Sequence, residues 1–171
     1  MDQPSTSNDF QQMHCHLLKT NFEKLFEEPF PIQAPIESLG QIVYASSYSV
    51  LSHSNAAVPI FTYANLSAQS LWELGWAEIT TMPSYQSARE DSQRDRAELL
   101  TKVQQDGCSK SYSGVRISSS GKRFEIKNVY VWNLYQDEAY VGQAALFNEW
   151  VYVDSPTGGL HSDPRGQNES V

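Results

Sequence analysis

Three extended segments in the last third of the chain constrain its fold more than any other feature. Residues 111–117 alternate between polar and apolar side chains, and residues 123–135 and 139–153 are rich in Val, Tyr, Phe and Trp. Short polar turns at 118–121 and 136–138 separate the three segments. Extended segments joined by such short turns favour consecutive antiparallel strands. The sequence therefore predicts a three-stranded antiparallel meander.

Two shorter strands and a helical region precede this meander. Residues 47–52 and 59–65 have the aromatic and β-branched composition of strands. Apolar residues at helical spacing predict helices at 36–44, 66–74, 76–80 and 88–105, and the polar stretch 82–92 is predicted to be irregular. We call residues 82–105 the insert. This order of elements predicts an α+β fold with a five-stranded antiparallel sheet and helices on one face.

An amphipathic helix is predicted at residues 10–28, because Leu18, Phe22 and Leu25 recur at helical spacing. Three prolines within residues 29–35 end this helix, since proline cannot continue one. The apolar stripe of the helix has to be buried against some surface. We therefore expect this helix to form homodimer contacts.

These features divide the chain into three parts. We expect an N-terminal helical extension at residues 1–34, one domain at 35–153 and a disordered tail at 154–171. The tail is rich in Gly, Pro, Ser and Asp and has few apolar residues, a composition that cannot form a packed core.

Several separate segments resemble the MEKHLA domain family. These segments are 49–54 (SVLSHS), 59–65 (PIFTYAN), 111–124 (SYSGVRISSSGKRF), 131–134 (VWNL) and 142–145 (GQAA). The resemblance extends from about Pro35 to Val153 and implies a PAS-like fold with a sensory or regulatory role.

In plants, such domains form the C-terminal part of homeodomain–leucine-zipper regulators, whereas other members stand alone. The chain has neither a homeodomain nor zipper heptads, so we expect a stand-alone member, and the resemblance implies no DNA binding here.

The charge of the chain argues against two classes of partner. It has 20 acidic and 12 basic residues, for a formal net charge of −8, and the basic residues are scattered. Nucleic acids and anionic membranes bind clustered Lys and Arg, so we expect neither as a partner. No run of about 18 apolar residues is present, and residues 1–9 do not resemble a signal peptide. We expect a soluble, cytoplasmic protein with reduced cysteines.

No metal centre or catalytic group is predicted. His14, Cys15 and His16 are adjacent, and adjacent residues on a helix point about 100° apart, so they do not converge on one ion. The insert contains neither the cysteine of a light-oxygen-voltage flavin site nor the histidine of a haem-binding PAS domain, which leaves any cofactor unknown. No Gly-x-Ser-x-Gly elbow or assembled base is visible, so we do not expect an enzyme.

One group of candidate binding residues consists of arginines in the insert and on the facing strand: Arg89, Arg94, Arg96 and Arg116. The guanidinium fork suits a carboxylate or a phosphate. The alternative is a solvated helix face on which these arginines pair with neighbouring acids.

A second group is polar and aromatic and would line an apolar pocket with a few oriented hydrogen bonds. The alternative is a core whose amides bond to the backbone. From both groups we predict these ligand-binding residues: Tyr63, Arg96, Tyr112, Arg116, Trp132, Asn133 and Gln143.

The sequence thus favours a PAS-like sensory or regulatory domain that binds a small ligand or a protein partner without catalysis. A small enzyme that uses the same cavity as an active site is the alternative. Convergence of Arg96, Asn133 and Gln143 with an ionisable group would favour the enzyme, and an interior filled by side chains would favour protein–protein interaction.

Overall fold

The sheet combines strands from both halves of the chain. The computed structural model describes residues 1–88 and 90–153; Arg89 and the predicted tail at 154–171 lie outside them. The strands are β1 (Ser49–Ser54), β2 (Phe61–Ala64), β3 (Cys108–Ile117), β4 (Arg123–Gln136), β5 (Ala139–Phe147) and β6 (Glu149–Tyr152). The helices are α1 (Gln12–Phe26), α2 (Leu39–Ala45), α3 (Leu66–Trp72), α4 (Trp76–Ile79) and α5 (Glu90–Asp106), with 3₁₀ turns at Thr6–Gln11, Ile36–Ser38 and Ser84–Ser87.

Five strands form an antiparallel sheet in the order β2-β1-β5-β4-β3, and β6 also pairs with β4. This confirms the predicted α+β fold class with an antiparallel sheet, whereas the helices lie on both faces of the sheet and not on one as predicted. The third strand of the predicted meander is interrupted at Asn148 and continues as β6 in the same register, because Tyr130 pairs with Leu146 and Phe124 with Tyr152. Asn128, which lies opposite the interruption, has a left-handed backbone with φ of 50°.

The two faces of the sheet support separate apolar cores. The outer face is the side of the sheet that carries Val50 and Trp132. The inner face is the opposite side, which carries Leu51, Val131 and Phe147. Successive side chains of a strand point to opposite faces, so β4 contributes to both cores. Helices α1 and α2 cover the outer face, and α3 and α5 cover the inner face.

Helix α1 packs on the outer face through its apolar stripe. Phe22 is fully buried, and its ring centroid lies 5.2 Å from those of both Tyr130 and Trp132. The Asn21 side chain donates to the Tyr135 carbonyl at 3.0 Å and accepts from the Tyr135 amide at 3.1 Å. The stripe is therefore buried within the chain and needs no second copy to cover it, so the homodimer stays a prediction.

The Asn65 side chain fixes the start of α3. Its Oδ1 accepts from the amides of Val50 at 3.0 Å and Ala68 at 3.2 Å, and its Nδ2 donates to the carbonyls of Tyr48 at 2.7 Å and Val43 at 3.0 Å. The amide is completely buried and uses its hydrogen-bonding groups within the protein. One residue thus ends β2, caps α3 and ties both to β1 and α2.

The insert is more regular than predicted at its start. Residues 82–92 were expected to be irregular, but Ser84–Ser87 forms a 3₁₀ turn and α5 begins at Glu90. Proline at position 83 and the small serines favour such a tight turn before the helix. Across the described part of the chain, no helix has the length and apolarity needed to cross a bilayer.

Replacing Phe22 with Ala tests the packing of α1. Because the Phe22 ring is fully buried among aromatic rings, we expect the free energy of unfolding to fall by about 3–5 kcal/mol. Urea unfolding followed by tryptophan fluorescence measures this change. Met13→Ala, at a residue 86% exposed on the same helix, is the control and should change stability by less than about 0.5 kcal/mol. Equal values for both variants would contradict the packing.

Candidate functional site

A cavity of about 50 Å³ lies between the inner face and α5. Its walls are mostly apolar and include Leu51, Phe61, Leu100, Val131 and Phe147. Polar side chains reach it from four elements: His53 from β1, Arg96 from α5, Tyr112 and Arg116 from β3, and Gln143 from β5. Pockets for drug-sized molecules are about 300–1,000 Å³, and one water needs about 10–15 Å³. The cavity therefore suits a ligand of only a few non-hydrogen atoms.

Two arginines inside the protein face this cavity. Arg96 is 8% exposed and Arg116 is 6% exposed. Arg116 donates to the Val115 carbonyl at 2.9 Å and to Tyr112 Oη at 3.3 Å, and its guanidinium carbon lies 5.6 Å from the centroid of the Tyr112 ring. The Arg96 guanidinium makes no hydrogen bond or ion pair with any residue that the structure describes. No described residue therefore satisfies its N–H donors.

The cavity carries an unbalanced positive charge. Burial, reinforced by the neighbouring Arg116, lowers the pKa of Arg96 to about 10, so the Arg96 guanidinium is charged at neutral pH. No acidic side chain is among the cavity-lining residues that the structure describes. Burying an unpaired charge is unfavourable, because the lost hydration is not replaced. An anion in the cavity would relieve this cost.

Gly114 leaves space for the two β3 side chains at the cavity. A Cβ atom at this position would lie 2.3 Å from Tyr112 Oη and 3.0 Å from Arg116 Nη1. Any larger residue would push the Tyr112 hydroxyl away from its place beside the guanidinium. Gly114 was predicted only as part of a strand, and this role depends on side-chain positions that the sequence does not show.

His53 is a cavity residue that the sequence analysis did not single out. Its Nδ1 lies 2.9 Å from the Ser54 carbonyl, which can only accept, so Nδ1 carries the proton and Nε2 is a bare acceptor. Nε2 is buried and makes no hydrogen bond of normal geometry in the described structure, although the Gln143 side chain lies close enough to favour the protonated ring. Burial, reinforced by the charge of Arg96, lowers the pKa of His53 to about 4, so the ring is neutral at pH 7.

Two buried amides join α5 to the sheet. Gln143 Nε2 donates to the Leu100 carbonyl at 2.9 Å and to Asn133 Oδ1 at 3.1 Å. Asn133 Nδ2 donates in turn to the Gln104 carbonyl at 3.2 Å and to Tyr135 Oη at 3.1 Å. Gln143 lines the cavity, whereas Asn133 lies behind it and holds the end of α5. The amides therefore link the cavity to the position of the helix.

The structure brings together four of the seven predicted ligand-binding residues: Arg96, Tyr112, Arg116 and Gln143. Tyr63 and Trp132 lie in the outer core, where Cys15 donates its thiol to Tyr63 Oη at 3.7 Å and Phe22 packs on Trp132. They do not line this cavity. Trp132 adjoins Asn133 on one strand, so side-chain alternation alone separates the two.

The remaining arginines of the insert do not reach the cavity in the described structure. Arg94 Nε donates to Glu98 Oε1 at 3.0 Å on the helix surface, where the Arg94 side chain is 86% exposed. Arg94 therefore lies on a solvated helix face and pairs with an acid, which was the alternative to ligand binding for the arginines. Arg89 lies outside the described residues.

His53 should make the domain sensitive to acid. Its folded pKa of about 4 lies below the unfolded value of about 6.5, so between these values the unfolded chain binds a proton that the folded chain does not. Stability should fall as the pH falls from about 6.5 to 4, by roughly 3 kcal/mol from this residue. His53→Gln should remove that part of the pH dependence, as measured by urea unfolding at each pH.

His16→Gln, at a partly exposed position on α1, serves as the matched control. Parallel pH profiles for the wild type and His53→Gln would contradict a buried neutral ring.

Solved structures share this fold at low sequence identity. The PAS domain of a protein from Colwellia psychrerythraea is similar with a TM-score of 0.55 and 10% identity over 62% of this chain and 88% of that chain. A light-oxygen-voltage domain studied with a flavin analogue is similar with a TM-score of 0.54 and 12% identity over 68% of this chain and 85% of that chain. A PAS domain from a two-component sensor histidine kinase is similar with a TM-score of 0.51 and 12% identity over 66% of this chain and 91% of that chain.

No curated protein matches the chain in sequence. Residues 12–152 match the MEKHLA domain, a range that begins at the first residue of α1. The match spans most of the chain, and the solved PAS domains share its overall fold. The chain belongs to the MEKHLA domain family and has a PAS-like fold.

Proposed function

We propose that this chain is a sensory or regulatory domain that binds a small anionic ligand in the cavity between the inner face and α5. One observation carries the proposal: Arg96 and Arg116 are buried beside the same cavity, and none of its described lining residues is acidic. The PAS-like fold supports a sensory role, and one similar domain comes from a sensor histidine kinase.

The contacts of the two arginines favour a ligand over a purely structural role. Arg116 is held in place by Tyr112 and the Val115 carbonyl, so its remaining donors are already oriented. Arg96 has no partner among the described residues, although it is almost completely buried. A carboxylate or phosphate would accept paired hydrogen bonds from such donors. Preorganised donors in a dry cavity bind an anion more strongly than the same donors in water.

The same residues give the ligand a way to act on the rest of the domain. Arg96 lies on α5, and Gln143 and Asn133 hold the Leu100 and Gln104 carbonyls of that helix. An anion that binds Arg96 and Arg116 together favours the packing in which α5 lies close to β3. If α5 has a second packing, the ligand shifts the population between them according to its different affinity for each. A protein partner that contacts α5 would then bind more or less tightly according to whether the cavity holds a ligand.

A small enzyme that uses this cavity is the second candidate, and His53 favours it because a bare Nε2 can take a proton. Catalysis also needs a nucleophile or a second acid in hydrogen-bond reach of the base. No side chain of that kind is bonded to His53 Nε2 within the described structure. A cavity of about 50 Å³ also leaves little room for two reactants. Ligand binding is therefore the better supported function.

Replacing Arg96 with Gln tests anion binding, with acetate as the probe. Loss of a charge-assisted hydrogen bond should weaken acetate binding about 10- to 100-fold. The dissociation constant is measured by NMR titration of protein that has been unfolded, dialysed and refolded to remove bound molecules. Mass spectrometry of the molecules released on unfolding should identify an organic anion from the wild type and at least about tenfold less of it from Arg96→Gln.

Arg94→Gln is the matched control on the same helix, because Arg94 pairs with Glu98 at the surface. Its affinity for acetate should equal that of the wild type. Equal loss in both arginine variants, or a wild type that binds no small anion, would overturn the proposal.

Hydrogen exchange tests the link between the cavity and α5. At an acetate concentration of ten times the dissociation constant, amides of α5 that exchange through local opening should slow by up to about tenfold. Amides of α2, which packs on the outer face away from the cavity, are the internal control. Unchanged exchange in α5 at saturating acetate would show that the ligand does not act on this helix.

A further inference from the structure

The available hydrogen-bond donors of the cavity lie together, where α5 approaches β3. Arg96 makes no hydrogen bond with any described residue, and both Arg116 and Tyr112 are near enough to influence its pKa. Tyr112 Oη accepts from Arg116 at 3.3 Å and donates to no residue that the structure describes, so its own O–H is available. Donors beside a positive charge favour an anionic acceptor. This end of the cavity therefore suits one carboxylate group.

The other polar side chains of the wall already have partners within the protein. Gln143 uses both of its N–H groups, for the Leu100 carbonyl and Asn133, and its side chain lies in hydrogen-bond range of the enclosed His53 ring. The remaining pairs are Ser87 with the Ser84 carbonyl, Trp72 with the Ser87 carbonyl, and Ser52 with His14 and Thr62. A second polar group on a ligand would lose its hydration without gaining a partner.

The rest of the wall is hydrocarbon and defines the body of the ligand. Leu51, Ala145 and Phe147 form it on the sheet, and Leu99 and Leu100 form it on α5. Each CH₂ group that leaves water for such a wall should tighten binding about three- to fourfold. The volume of about 50 Å³ corresponds to roughly three to five water-sized spheres. The hydrocarbon part of the ligand is accordingly short.

We infer that the ligand is a short aliphatic monocarboxylate of about the size of propionate. Its carboxylate binds Arg96 and Tyr112, and its hydrocarbon chain lies against Ala145 on the inner face. This assignment rests on the proposed function, because it names the ligand class of the same cavity. Inorganic phosphate and dicarboxylates are the competing anions. Both carry further charged or polar atoms, which the hydrocarbon wall leaves without partners.

The first test compares probes that differ by a single group, by NMR titration of wild-type protein refolded without ligand. Propionate should bind about three- to fourfold more tightly than acetate, because it buries one more CH₂ group. Malonate has a second carboxylate in place of the methyl group of propionate, and it should bind at least about tenfold more weakly than propionate, as should inorganic phosphate. Propionamide has the shape of propionate without its charge and should also bind at least about tenfold more weakly. These comparisons need no variant and so do not depend on one that folds.

Ala145→Val tests where the hydrocarbon chain lies. Ala145 lines the cavity and pairs in register with Leu51 of β1 and Val131 of β4. The added methyl groups occupy space that the propionate chain needs. We expect the preference for propionate over acetate to fall to about onefold or less, while acetate affinity stays within about threefold of the wild type. Ala139→Val, at an exposed position on the same strand, should keep the wild-type preference.

The outcomes separate this inference from the proposed function. Equal affinity for acetate and propionate, or tighter binding of malonate or phosphate than of propionate, would overturn the aliphatic acid and leave an anion-binding domain. A preference for propionate that persists in Ala145→Val would overturn the position of the hydrocarbon chain. Failure of every anion to bind, or propionamide binding as tightly as propionate, would overturn the proposed function itself.

Discussion

Strand β4 has both of its faces buried, and the rest of the structure depends on this constraint. Trp132 packs with α1 in the outer core, whereas the next residue, Asn133, points to the inner face and holds the end of α5. A slip of one residue in the register would exchange the indole and the amide between the faces. The register of β4 therefore sets where α5 lies, and with it the approach of Arg96 to Arg116 across the cavity.

The cavity is a local exception to the way such a core is normally built. Apolar walls and completed hydrogen bonds surround it, as the Gln143 and Asn133 amides show. The Arg96 guanidinium makes no hydrogen bond to a described residue, although Arg96 is only 8% exposed, whereas Arg116 is held by the Val115 carbonyl and Tyr112. If the proposed anion binds Arg96, it stabilises this buried charge, and occupancy of the cavity would then change the stability of α5 and its neighbours. That difference is what a sensory domain needs.

The sequence predicts the fold better than the site, for a physical reason. The meander and α1 follow from periodicities of two and 3.6 residues, which any window of the sequence displays. Arg96 and Arg116 were assigned to the insert and to the facing strand, and both reach the cavity. His53 escaped notice because its partner Gln143 lies far along the chain, and the register between β1 and β5 is a long-range property. Trp132 and Asn133 were assigned to one pocket although alternation separates them.

The attachment of α1 to the outer face has a consequence for how the protein is made. Asn21 bonds to Tyr135, 114 positions later in the chain. Because synthesis proceeds from the N-terminus, α1 emerges from the ribosome long before β4 exists to receive it. Its apolar side chains have no native surface to cover them during that interval, and exposed surfaces of this kind promote aggregation of nascent chains. Chaperone contact with the first helix during translation would shield it until the sheet is complete.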